Sequence, residues 1–181
     1  MKKATLALVL MASSVFASEK PNFSNVQLEN LHYAYSFGEQ FTKDGKYKTH
    51  ETVHKSGLGY IMAAIAWQES SAGVNTGAGK QKHHSYGMFQ NYLPTVRNRA
   101  AQFKSNLTDT EIKNLLKDRK QSAKWAYIEL SYWLDVHNGD IRKAVSSYNS
   151  GWDVKAGNKY ASNVIDKANY LKSNKLFKQA D

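Results

Sequence analysis

Cysteine is absent from the 181 residues, which excludes a disulfide framework and any lipid-modified cysteine. No apolar run is long enough to cross a bilayer. The N-terminal run, Ala4 to Ala12, falls well short of the ~20 residues that a spanning helix needs. No internal repeat and no low-complexity linker divides the chain, so one well-cored domain is expected rather than an array or a pair of domains. Acidic residues are scarce, and from Ser70 through Thr108 there is no Asp or Glu at all. Any chemistry located in that segment must do without a second carboxylate of its own.

The first residues, MKKATLALVLMASSVFASEK, have the form of an export signal. Lys2 and Lys3 form a charged start, a short apolar core follows, and VFA puts small residues at the cleavage positions before Ser18. Residues 1–17 are therefore read as a signal peptide, and the mature protein is expected in the periplasm or secreted. The formal net charge is +10; without Lys2 and Lys3, 23 basic and 15 acidic residues remain. This balance suits an anionic partner. Export and the scattered placement of the lysines argue against nucleic acid, which leaves cell-wall polymer or a membrane surface.

Helical signals dominate the mature chain. Ser24 and Gln27 have capping-box spacing ahead of an amphipathic pattern at Leu28, Leu31, Tyr35 and Phe41. Thr42 to Ser56 is polar and reads as a loop, with Asp44-Gly45 as a turn and room for a short hairpin. Pro94 is placed to start a helix, and Thr108 with Glu111 makes a second capping box flanked by a Leu107–Ile112 staple. KQSAKWAYIELSYWLDVH is amphipathic, Asp140 caps IRKAVSSYN, Gly151 stops it, and a last helix is expected from about Ala161. Residues 18–55 are read as a helix and loop packing on a domain that spans 56–181.

Within this frame one stretch stands out, GLGYIMAAIAWQESSAG. From Leu58 to Trp67 the apolar residues occupy every side of a helical wheel, the pattern of a helix buried all round. It ends on Glu69. A helix C-terminus and apolar neighbours such as Ile65 and Trp67 both raise a carboxylate pKa, which is what a general acid requires. A frayed, solvated helix end is the alternative on this stretch alone.

Other signals fail on inspection. GAGKQ lacks the first glycine of a phosphate-binding loop, where Val74 stands, and has Gln81 where Ser or Thr is required. His83 and His84 are adjacent and have no third ligand at metal-site spacing, so no metal is expected. No histidine carries a local signature that would pair it with Ser70 as base to nucleophile.

The pair Glu69-Ser70, then SYGMFQ, then NGDIRKAVSSYNSG after a long amphipathic helix, then YASNVI at the last helix occur in one order. This order resembles the soluble lytic transglycosylase (SLT) domain, a branch of the lysozyme-like superfamily related to goose-type lysozymes. The resemblance runs from about Ser56 to Leu171. It implies a mainly α, lysozyme-like domain with a cleft and a small hairpin or irregular loop beside it. By the resemblance Glu69 is the catalytic acid/base, Ser70 orients it or the sugar, and Tyr148 sits close to the carboxylate. Gly87, Met88, Phe89 and Gln90 match the family's GLMQ segment and line the cleft. Asn149 completes the Tyr-Asn pair, and Tyr160 matches the later tyrosine. Met88-Phe89 for Leu-Met and SYNSG for AYNAG are departures that bear on substrate fit.

The resemblance further implies cleavage of peptidoglycan between N-acetylmuramic acid and N-acetylglucosamine, with a 1,6-anhydro product and no cofactor. Two other readings stay open: a lysozyme-type hydrolase in which Asp135, Asp140 or Asp153 reaches the cleft, and a non-catalytic wall-binding assembly protein. Wall turnover, a secretion or conjugation apparatus as partner, and phage entry are equally compatible settings.

Overall fold

The computed structural model describes residues 21–43, 57–77 and 84–177. Among these, seven helices and one two-stranded hairpin are formed: α1 (Asn25–Lys43), α2 (Gly59–Ser70), β1 (Ser85–Tyr86), β2 (Asn91–Tyr92), α3 (Leu93–Gln102), α4 (Asp109–Leu115), α5 (Arg119–Val136), α6 (Ile141–Ser150) and α7 (Asn158–Ser173). The expected mainly α architecture is observed. The loop and hairpin read into Thr42–Ser56 lie outside the described residues, apart from the end of α1.

The helix starts follow their caps. Ser24 and Gln27 exchange hydrogen bonds ahead of α1, Thr108 and Glu111 form a reciprocal capping box on α4, and Asp140 accepts the Lys143 N–H on α6. Each side chain takes up a backbone N–H that the first helical turn cannot pair internally. Pro94 sits in the first turn of α3, where its missing N–H costs nothing. The last helix begins at Asn158, three residues before the expected Ala161, with Gly157 as its cap. Gly157 is wedged against the Ser146 carbonyl, so the close approach of α6 sets this start.

The all-apolar wheel of α2 has its counterpart in packing. Met62, Ala63, Ala64, Ile65 and Ala66 are fully buried, and α2 lies between α1 and α7. Its backbone runs close to α1, since a Cβ on Gly38 would come within 2.8 Å of Gly59. A large cluster joins α1, α2, α5, α6 and α7. A smaller one, Tyr86, Leu93, Val96, Ala100, Ile112, Leu116 and Trp125, joins the hairpin, α3 and α4 to one side of α5. Helix α5 contributes to both clusters, and the cavity described next takes its lining from both of these regions.

The hairpin pairs Ser85 with Tyr92 and Tyr86 with Asn91. Its turn is GMFQ, with Gly87 at φ 78° and Gln90 at φ 46°. A side chain at Gly87 would collide with the Leu116 carbonyl and the Ser122 hydroxyl, both at 2.5 Å. Only glycine serves there, on grounds of space as well as φ.

Candidate active site

A cavity of about 540 Å³ has Glu69, Gln90, Tyr148 and Asn149 in its lining. Glu69 reaches it from the last turn of α2. The helix closes just beyond, where Ser71 adopts the left-handed conformation and its N–H returns to the Trp67 carbonyl. Burial lifts the Glu69 carboxyl from the ordinary 4.5 to about 6, and the hydrogen bond from Tyr160 acts in the opposite direction. No salt bridge to Glu69 is formed among the described residues. Its partner is a neutral phenol: the Tyr160 hydroxyl donates to Oε1 at 2.5 Å.

Two tyrosines thus surround the acid in different ways. Tyr160, from the first turn of α7, makes the direct bond. Tyr148, from α6, donates instead to the Phe89 carbonyl at 3.2 Å. Both phenols are pushed well above 10, by burial first and then by the negative charge of Glu69. They remain proton donors throughout the neutral range. Tyr148, expected close to the carboxylate, lines the same cavity as Glu69 with its phenol directed at the hairpin turn, while the hydrogen bond to the carboxyl comes from Tyr160 on α7.

Ser70 does not face the cavity. It is buried; its hydroxyl donates to the Met88 carbonyl at 2.6 Å, lies 3.2 Å from the Ala66 carbonyl and accepts the Gly73 N–H at 2.7 Å. It ties the end of α2 to the hairpin turn and to the loop that follows the helix. Among the described residues its hydroxyl bonds backbone groups and not the Glu69 carboxyl. Met88 and Phe89 are likewise core side chains at 4% and 0% exposure. Their carbonyls are taken by Ser70 and Tyr148, so those two oxygens are already engaged within the protein. Gly87 is buried. Of the four-residue segment only Gln90 reaches the cavity, with its Nε2 donating to the Gly87 carbonyl at 2.9 Å and the Asn75 carbonyl at 3.3 Å. Asn149 is exposed on the cavity wall.

A second carboxylate lines the same cavity, and it is none of the three aspartates weighed from sequence. Asp140 caps α6, Asp153 accepts the Ala156 N–H in the turn before α7, and Asp135 is an exposed residue of α5. The cavity carboxylate is Glu129, from the middle of α5. Arg99 of α3 grips it with two bonds, Nε to Oε2 at 2.7 Å and Nη2 to Oε1 at 3.3 Å, and Trp133 Nε1 donates to Oε1 at 2.6 Å. The side chains of Arg99 and Glu129 are 11% and 12% exposed, and the guanidinium lies 3.3 Å above the Tyr132 ring. A Glu129–Trp133 spacing of four along an amphipathic helix was a visible clue, since such residues share a face. Its pairing with Arg99 across 30 positions was not.

Among the described residues no group of three His, Cys, Asp or Glu could hold a metal ion, and no helix is long and apolar enough to cross a membrane.

A buried central helix that delivers a raised-pKa glutamate to an open cleft, in a mainly α scaffold with one small hairpin, defines a lysozyme-like domain. The chain belongs to the transglycosylase SLT domain family, whose model matches residues 46–171. It is a transglycosylase-type domain, and peptidoglycan is the substrate class this family implies. The chain is 67% identical over 176 residues, covering 97% of each sequence, to an uncharacterized 20.7 kDa protein of the vs-regB intergenic region of Enterobacteria phage T4. No solved structure matches it.

Proposed function

We propose that the domain cleaves the β-1,4 bond between N-acetylmuramic acid and N-acetylglucosamine, with Glu69 as sole acid and base. The observation that carries this reading is the contrast between the two cavity carboxylates. Glu69, with a pKa of about 6 and a phenol for a partner, can hold a proton close to neutral pH. Both oxygens of Glu129 already accept hydrogen bonds from Arg99 and Trp133, so a water would have to compete with these donors for the carboxylate.

In the first step the Glu69 proton goes to the glycosidic oxygen and the bond from that oxygen to the muramic C1 breaks. The substrate's own N-acetyl oxygen covers the cationic C1. The 6-hydroxyl of the same sugar then bonds to C1, the N-acetyl oxygen leaves, and the hydroxyl proton returns to Glu69. No water is consumed and the acid is regenerated. Tyr160 steadies the carboxylate between the two steps, while Gln90 and Asn149 offer polar groups to the sugar.

Mass spectrometry of digested wall tests this. Products should be lighter by one water than hydrolytic ones and unchanged by borohydride. Reducible, hydrated ends would favour a hydrolase instead, and Glu129, as the second carboxylate on the cavity wall, would be its base. Export by the leader 1–17 belongs to the same reading, and N-terminal sequencing of the mature protein should begin at Ser18. The phage origin of the relative favours wall opening during infection among the possible settings.

A further inference from the structure

Trp152 is 72% exposed, more than any other large apolar side chain among the described residues. A single exposed indole on a loose segment would mean little. This one is held from several sides. Gly151, at φ 63°, turns the chain out of α6, and the Ser150 hydroxyl donates to the Asp153 carbonyl at 2.6 Å, closing the turn around Trp152. The indole rests edge-to-face on Trp133, with centroids 5.0 Å apart and planes at 82°. Trp133 is itself buried and fixed by Glu129, which Arg99 fixes in turn.

The position of this indole relative to the cavity matters as much. Asn149, Ser150 and Gly151, the three residues leading to Trp152, line the cavity, and so does the Trp133 that supports it. The exposed ring thus stands directly beside the cavity lining, one residue beyond Gly151 and in contact with Trp133. A pyranose ring presents an apolar face of C–H groups with polar groups at its rim, which is the chemistry a rigid, solvent-facing indole takes up, since it buries apolar area at little entropic cost.

We propose that Trp152 is a stacking platform for a sugar ring of the glycan strand, a subsite that extends the cavity beyond the bond being cut. Glu129 and Trp133 act as positioning residues that hold the platform in place. The proposal rests on the reading that the cavity takes a glycan.

The test uses the full mature chain with Glu69→Gln, so that ligand is bound and not cut, and calorimetric titration with a soluble N-acetylglucosamine hexamer. Adding Trp152→Ala should weaken hexamer binding about tenfold, the effect of losing one well-packed aromatic contact. Trp152→Phe should restore affinity to within about threefold of the parent. Phe103→Ala, which removes an aromatic of 62% exposure away from the cavity lining, should leave it unchanged. Trp152→Ala binding within about twofold of the parent, Phe performing no better than Ala, or an equal loss from Phe103→Ala would each overturn the platform. A parent that binds no hexamer at all would overturn the glycan reading itself, and the subsite with it.

Discussion

Glu69 and Glu129 are the same residue type in one cavity, and their surroundings separate them. Burial without a cation leaves the charged form of Glu69 at a disadvantage in the folded protein. The sign of its effect on stability follows. A carboxyl whose folded pKa lies above its unfolded value costs nothing below pH ~4.5 and destabilises fully once the pH passes about 6. The rise from 4.5 to about 6 corresponds to ~2 kcal/mol. Glu69→Gln should therefore abolish wall clearing and also raise the melting temperature by several degrees at pH 7.5. That gain should vanish at pH 4, and calorimetry at the two pH values checks it. Activity should fall on the alkaline side as Glu69 loses the proton it donates. Tyr160→Phe removes the bond that lowers this pKa, so the alkaline limb of the pH–rate profile should move to higher pH. A limb that stays in place or moves down would remove Tyr160 from the acid's environment.

At the scale of elements, the end of α2 and the GMFQ turn behave as one unit joined by Ser70. A buried hydroxyl that serves the Met88 carbonyl and the Gly73 N–H cannot be removed without leaving both unpaired. Ser70→Ala should cost ~1–3 kcal/mol in urea unfolding, and turnover should fall because Glu69 is the adjacent residue. Unaltered stability would show that water replaces the hydroxyl. The helix starts were legible because capping is local: Thr108 with Glu111, and Asp140, act within three residues of themselves. A small hairpin or irregular loop beside the cleft was implied by the family resemblance, but its position at 85–92 was not legible in the residues, because strands of two residues show no alternation and are held by packing against α5. The same holds for Met88 and Phe89, whose type suits a cleft or a core equally well.

The whole chain carries a formal charge of +10, or +8 without the Lys2 and Lys3 of the leader (23 basic and 15 acidic residues), while the candidate cavity holds the opposed charges of Arg99 and Glu129. On the proposed reading, attraction to an anionic wall would come from the surface at large and be screened by salt. Binding to intact wall should weaken several-fold between about 50 and 300 mM salt, where the Debye length shrinks from roughly 14 to 6 Å. Binding of the uncharged hexamer to the Glu69→Gln protein should not change over that range. Equal salt sensitivity of both ligands would place the electrostatic contact inside the cavity.

The sequence by itself determined the mainly α class, the buried α2, most helix starts and the position of Glu69 at the end of a core helix. These depend on periodicity and on caps, which act over a few residues. Tertiary structure decided which side chains meet. Tyr160, 91 positions from Glu69, became its hydrogen-bond partner, Ser70 turned inward to the hairpin, and Glu129 and Arg99 closed on each other in the cavity wall. Such meetings depend on how helices cross and on which face each buries, quantities set by the packing of the whole core rather than by any local stretch of chain.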